Sequence, residues 1–366
     1  MNHANYLITS ERPFTSITMS ESNNIISRRL SDELLDFCAS ASVSEEGLRE
    51  IIQRHELTPN HDNHNVDDYG FFRFMCQNER VTERIVQFLL ENFPDAANAA
   101  SGDGSVPLHA ACYNKNAMLN IVQILIDAAP ESVHSENNYG HMPLHILCAN
   151  DNVSEIAAVK ILKLLIKKYP EALRHIDNDD RLPIQLAASW GTSPEVCSVL
   201  IEAYPGSERM TSSEGELPLH DACFNNTVAM VEYLYRQYPG GIAHTTTRGL
   251  YPIHAAIKGL SDRDNPGTAG EAAEIVQFLL DCDPSVKLQK HRGRSLLSFA
   301  CGQEYDDSNI HAALAVIKVI YDFYPEAIEG NKIIPKIQNY HHEVQLFILI
   351  QLGHARQAKV DRLHLI

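Results

Sequence analysis

No run in this sequence approaches about 18 consecutive apolar residues, so nothing in it reads as a membrane span. The opening stretch, MNHANYLITSERPFTS, lacks an apolar core of signal-peptide length. The motifs of common enzyme chemistry are missing as well. There is no Gly-x-Ser-x-Gly elbow, no Gly-Lys-Ser/Thr phosphate loop, no Gly-x-Gly-x-x-Gly and no His-Glu-x-x-His. Without them the sequence gives no reason to expect catalysis or a cofactor. The absence of Cys-x-x-Cys removes a zinc ribbon. Basic side chains are scarce: 30 Lys and Arg stand against 47 Asp and Glu, a formal charge of −17. Phosphate-backbone binding needs clustered cations, so nucleic acid is not the expected partner. An acidic surface suits solubility and basic partners instead.

What the chain does have is a period. Pro94, Pro130, Pro170, Pro205, Pro239, Pro284 and Pro325 each follow an apolar helix pattern, at intervals of 36, 40, 35, 34, 45 and 41. Spacings of this size mark stacked repeats rather than one globular core. Before five of these prolines stands an aromatic: Phe93, Tyr169, Tyr204, Tyr238 or Tyr324. The proline should end the helix by pushing that residue out of the αR region, and the aromatic should plug the gap at the helix end.

A second phrase recurs in phase. Pro107-Leu108-His109-Ala110-Ala111-Cys112 returns as Pro143 to Cys148 and as Pro218 to Cys223, with weaker copies at Pro183, Pro252, Phe71 and Leu296. Three residues before it sits Gly104, Gly140, Gly215, Gly249 or Gly293, with Asp180 once, which predicts a tight turn of positive φ. The interval from helix-ending proline to turn glycine is 10 in four copies and 9 from Pro284 to Gly293. Outer-helix stripes such as Ile121, Val122, Leu125 and Ile126 have helical spacing on one face. Gly259 to Gly270 has the composition of an exposed loop.

This phrase resembles the ankyrin repeat, whose signature is a Gly turn, then Thr-Pro-Leu-His and two small residues. The resemblance covers roughly residues 68–330. It implies an all-α solenoid of about seven helix-turn-helix units joined by short hairpins. Residues 1–28 are expected to be disordered, 29–67 to form a helical cap and linker, and 331–366 a C-terminal helical cap. It also implies that His109, His145, His220 and His254 are structural and bond backbone near the turns. The family's Thr is replaced by Val106, Met142, Leu182, Leu217 and Tyr251, and Gln185 and Ser298 replace the His.

Cys76, Cys112, Cys148, Cys223 and Cys301 share one slot. Units stacked about 10 Å apart cannot bring such residues within the ~7 Å that a disulfide needs. They read as small buried residues of a reducing compartment, cytosol or nucleus. Of the 18 histidines, the only local clusters, His61-Asp62-Asn63-His64 and His341-His342, read as linker and capping helix rather than metal sites.

The resemblance further implies a scaffold or adaptor whose protein partner is gripped by hairpin tips and first-helix faces. A monomer is expected, and from charge and composition neither a nucleic acid nor a metal is. Candidate contacts after the small residues are Tyr113, Asn114, Asn150, Trp190, Phe224 and Asn225. Candidate hairpin contacts are Tyr139, Arg181 and Arg248. The alternative is a regulatory subunit that docks through residues 1–66.

Overall fold

A computed structural model describes residues 32–54, 70–190, 193–225, 227–260, 266–329, 338 and 340–363. The segment expected to be disordered (1–28), and residues 55–67 of the expected cap and linker, lie outside the described residues. Short inner helices alternate with longer outer ones. Residues 32–39 (α1) precede Glu45–Arg54 (α2). Then come Gly70–Gln77 (α3) with Glu83–Asn92 (α4), Pro107–Tyr113 (α5) with Leu119–Ala128 (α6), and Pro143–Cys148 (α7) with Glu155–Lys168 (α8). Pro183–Ser189 (α9) pairs with Pro194–Ala203 (α10), and Pro218–Asn225 (α11) with Val228–Gln237 (α12). Pro252–Lys258 (α13) pairs with Pro266–Cys282 (α14), Leu296–Cys301 (α15) with Ile310–Phe323 (α16), and His342–Leu363 (α17) ends the series. We number the pairs from α3/α4 as the first unit. Among the described residues no β-strand occurs, only a bridge between His291 and Arg294.

Each inner helix that opens on proline uses it at N1, where the missing N–H costs nothing. The last unit lacks that proline, and Ser295 caps α15 by accepting from Ser298 N. On α6 the stripe Ile121, Val122, Leu125 and Ile126 is fully inside. At roughly 2 kcal/mol for each such side chain, the outer helices owe their stability to stacking more than to intrinsic propensity. The Gly259–Gly270 stretch is less of a loop than its composition predicts. Pro266 starts α14, so 266–270 are already helical.

The recurring prolines do two jobs, of which the sequence suggested one. The residue before each is thrown out of helical geometry, as at Phe93 (φ −136°, ψ 69°) and Tyr169 (φ −147°, ψ 84°). The proline then opens a 3-10 turn, Pro94–Asn98, Pro130–His134, Pro170–Arg174, Pro239–Ala243, Pro284–Leu288 or Pro325–Glu329. Only after that turn does the hairpin begin. The preceding aromatic carries a cation or imidazole from the previous unit's 3-10 turn. His134 lies 5.5 Å from the Tyr169 ring, and the Arg174 guanidinium is 4.8 Å from the centroid of Tyr204. Arg209 sits 5.0 Å from Tyr238, and Lys287 5.5 Å from Tyr324. The aromatic is therefore a lock between neighbours as well as a plug.

Gly104, Gly140, Gly215, Gly249 and Gly293 all have φ between 71° and 76°, and Asp180 adopts 59°. At Gly104 a second constraint applies: a Cβ would lie 2.8 Å from Asn138 Oδ1. This close approach lets successive hairpins bond tip to tip, with Asn138 N donating to Asp103 O, Asn178 N to Tyr139 O, and Thr247 N to Glu214 O. At the C-terminal end, α17 buries Val344 and Ile348 against the stack but leaves Leu346, Leu349 and Ile350 exposed.

Candidate partner-binding face

The repeated histidines are frame. His109 Nδ1 accepts from Val106 N at 3.2 Å, and Nε2 faces His141 O at 2.9 Å across to the next unit. An acceptor Nδ1 requires that Nε2 carry the proton and donate. His145 repeats this with Met142 N and His175 O, and His220 with Leu217 N and Leu250 O. Because the backbone N–H of the N-cap residue supplies the donor, no Thr is needed there. Gln185 reproduces both bonds, accepting from Leu182 N and donating to Glu216 O, each at 2.9 Å. Burial lowers these imidazoles, to about 4 in His109 and His220 and about 3 in His145, so they are neutral at pH 7. His254 departs from the pattern: both its ring nitrogens are buried without a hydrogen-bond partner.

Two of the expected contact residues are frame as well. Asn114 and Asn150 are each only 4% exposed. The Asn114 amide donates to Cys76 O and Asn78 O of the preceding unit, and Asn150 to Cys112 O and Tyr113 O. Their Oδ1 atoms accept from Asn116 N and Asn152 N. With both ends engaged inside, neither side chain has anything left to offer a partner. Asn78 does the same toward Cys38 O and Ser40 O, so α1/α2 joins the stack as a unit would. Asn225 is exposed.

The other candidates divide by position. Tyr113 is 42% exposed at the end of α5. It borders a shallow depression where inner helices meet hairpins, lined also by Arg73, Asp103, His109, Asn137 and Ile146. Burial pushes the Asp103 carboxyl up, but Ser101, Ser105 and the Arg73 charge outweigh it and hold it below the usual carboxylate range. Trp190 and Phe224 are half-buried against the core, and Lys258 lies 5.6 Å from the Phe224 ring centroid. At the hairpins, Tyr139 is half-buried with its ring 6.1 Å from His141. Arg181 pairs with Asp177 at 2.9 Å and Asp179 at 3.0 Å, and Arg248 with Glu214 at 2.5 Å. Burial raises the Asp177 carboxyl, but His141 and the Arg181 N–H and guanidinium prevail and hold it well below the ordinary range. These groups belong to hairpin tips and to the inner helices or their ends.

Comparison with known families identifies the frame. The family described as ankyrin repeats matches residues 72–171 and 155–248, in three copies. The chain is an ankyrin-repeat protein. Ankyrin repeats imply protein–protein interaction. No curated protein matches the sequence. Among solved structures, a chain in the complex of the predatory endopeptidase Bd0816 of Bdellovibrio bacteriovorus with immunity protein Bd3460 is 17% identical. It covers 57% of this chain and 96% of that chain, with a TM-score of 0.43.

Within the ankyrin frame, three polar residues that the sequence did not single out lie on the inner helices and the first described hairpin. Arg73 occupies the histidine slot of the most degenerate copy, and its Nε is buried without a partner. Asp103 lies in the first described hairpin. Asp221 falls where other copies of the phrase carry Ala110, Ile146, Leu186, Ala255 or Phe299. Its Oδ2 is buried with no hydrogen-bond partner, and burial, reinforced by Glu216, raises its pKa well above the carboxylate range. A charged residue in an otherwise apolar slot was the available signal. Among the described residues no helix is long and apolar enough to cross a membrane.

Proposed function

We propose that this ankyrin-repeat protein is a non-catalytic adaptor that captures a protein partner on the face built from hairpin tips and inner helices. The observation that carries this reading is Tyr113. It is an aromatic 42% exposed above a depression with a cation, a carboxylate and an amide, while the other aromatics among the described residues are buried or half-buried. Aromatic anchors beside polar groups dominate interface energetics. The frame holds this geometry before any partner arrives, so little ordering entropy opposes binding. Phe224 with Lys258, and Trp190, extend the surface along α9–α13, and Tyr139, Arg181 and Arg248 supply hairpin contacts. Asn114 and Asn150 are left out of it.

The test is affinity capture with the wild-type chain and with Tyr113→Ala plus Phe224→Ala. A loss of about 2 kcal/mol or more in partner affinity, with helical circular dichroism unchanged, is the expected result. Equal capture by both chains would remove the site assignment.

A further inference from the structure

The hairpins are sorted by charge along the stack. In the four hairpins at 99–106, 135–142, 175–182 and 210–217, Arg181 is the single Lys or Arg, and it is already paired with Asp177 and Asp179. The same stretch exposes or half-exposes Asp103, Glu136, Asp179, Asp180 and Glu214. The next two hairpins, 244–251 and 289–295, contain no Asp or Glu but carry Arg248, Lys290, Arg292 and Arg294. Arg248 reaches back to Glu214 and marks the boundary. Lys290, Arg292 and Arg294 are exposed, and among the described residues no carboxylate pairs with them. In a chain of formal charge −17, three adjacent unpaired cations are out of character.

Their backbone sets them apart too. This hairpin closes between His291 and Arg294, with Arg292 at φ 48° and Gly293 at φ 71°. Two successive left-handed residues make the tight turn that favours Asn-Gly, not an arginine. The side chain at Arg292 does nothing to hold the fold, since it is exposed. The turn nevertheless keeps a cation at its tip in a conformation that disfavours it. Arg294 turns toward the inner helix: its Nη1 lies 3.6 Å from where a Cβ at Gly302 would stand, at the end of α15.

We infer that the face takes an extended peptide whose charges are segregated, an Asp/Glu block seated on Lys290, Arg292 and Arg294 and a Lys/Arg block over the acidic hairpins. This rests on the partner lying on the face proposed above. From the Asp179 tip to the Arg292 tip are three unit steps of about 10 Å each. An extended chain covers that span with about nine residues. A nucleic-acid strand or an anionic membrane fits the basic hairpin alone, because its phosphates would run onto the acidic hairpins next to it.

Fluorescence anisotropy on the full chain tests this with synthetic peptides. Each carries a Lys/Arg block, a Gly/Ser spacer of about nine residues and an Asp/Glu block, in both orders, with a scrambled peptide of equal composition as control. One order should bind at least roughly tenfold tighter than the scramble, and the preference should fade as salt rises. Lys290→Glu with Arg292→Glu should abolish the preference. Arg292→Gly should also weaken it while melting no lower than wild type, because glycine relieves the left-handed backbone. Equal binding of segregated and scrambled peptides, unchanged binding by Arg292→Gly, or tighter binding to an oligonucleotide or an anionic vesicle overturns the inference. If it fails while captured protein still depends on Tyr113 and Phe224, only the charge rule is lost and the adaptor reading stands.

Discussion

Two neighbouring joints in this stack use the same residue differently. Between the fifth and sixth units, His220 bonds Leu217 N and Leu250 O with its two ring nitrogens. Between the sixth and seventh, His254 occupies the same slot and bonds nothing, its ring held 4.8 Å edge-on to Phe299 and 5.8 Å from His291. What differs is the facing hairpin. From Pro284 to Gly293 it is one residue shorter than its counterparts, 9 against 10, and it tightens into the His291–Arg294 turn. A repeat motif thus specifies which side chain points across a joint, while the length of the opposite hairpin decides whether a carbonyl is there to meet it.

Substitution should separate the joints most sharply. His220→Leu leaves a buried N–H and a buried C=O unpaired, a loss of about 3–4 kcal/mol. His254→Leu removes two unpartnered polar atoms from an aromatic setting and should be neutral or stabilising by about 1 kcal/mol. Urea unfolding of the two variants measures the contrast, and equal losses would show that packing rather than bonding holds the first joint.

Acid should affect both joints alike, because burial and not bonding is the largest cause of the lowered pKa at His220 (about 4) and His254 (about 3). Below the ordinary histidine value of 6.5 the unfolded chain takes up protons that the folded rings refuse. Stability therefore falls as pH drops from 6.5 and levels off only once the folded rings protonate, near 4 and 3. At about 1.4 kcal/mol per pH unit, the window amounts to about 3 kcal/mol for His220 and about 5 kcal/mol for His254. His220→Gln, which copies the bonding already present at Gln185, should keep neutral-pH stability and flatten its share of the acid slope in a pH series of melts.

Asp221→Asn is a smaller effect on the His220 side of the comparison. The carboxyl's raised pKa means stability falls as pH rises through it, so the amide should stabilise the chain at pH 7 by about 1 kcal/mol, a shift of roughly 2–4 °C in Tm. Smallest of all is Gln185→His, which should leave Tm within about 1 °C, since the two side chains make the same pair of bonds.

The repeat itself was readable because it is periodic: glycine at the turn, proline at N1 and histidine at N3 each carry a local geometric reason. Asn114 and Asn150 were misread for a physical reason. An Asn at the end of a short helix looks the same in sequence whether it faces water or a neighbour. The clue lay in the offset, since Asn78, Asn114 and Asn150 recur at intervals of 36, each two residues after a slot cysteine. The same offset puts Cys38 and Ser40 in register, which would have drawn α1/α2 into the stack. On the candidate face, Tyr113 was legible from its variable slot. Asp103 and Arg73 were not, because their meeting depends on two hairpins and two helices that only stacking brings together.

The cysteine slot gives the stack a set of internal clocks. Cys38, Cys76, Cys112, Cys148, Cys223 and Cys301 are buried and outside any disulfide, one to a unit in the pairs that carry them. Burial pushes the Cys112 and Cys301 thiols up to about 12, so at neutral pH these two stay protonated in place. Alkylation of each must wait for its own unit to open. Mass spectrometry of the order in which they are labelled would time the fraying of the solenoid from its ends inward, with no probe added to the natural sequence.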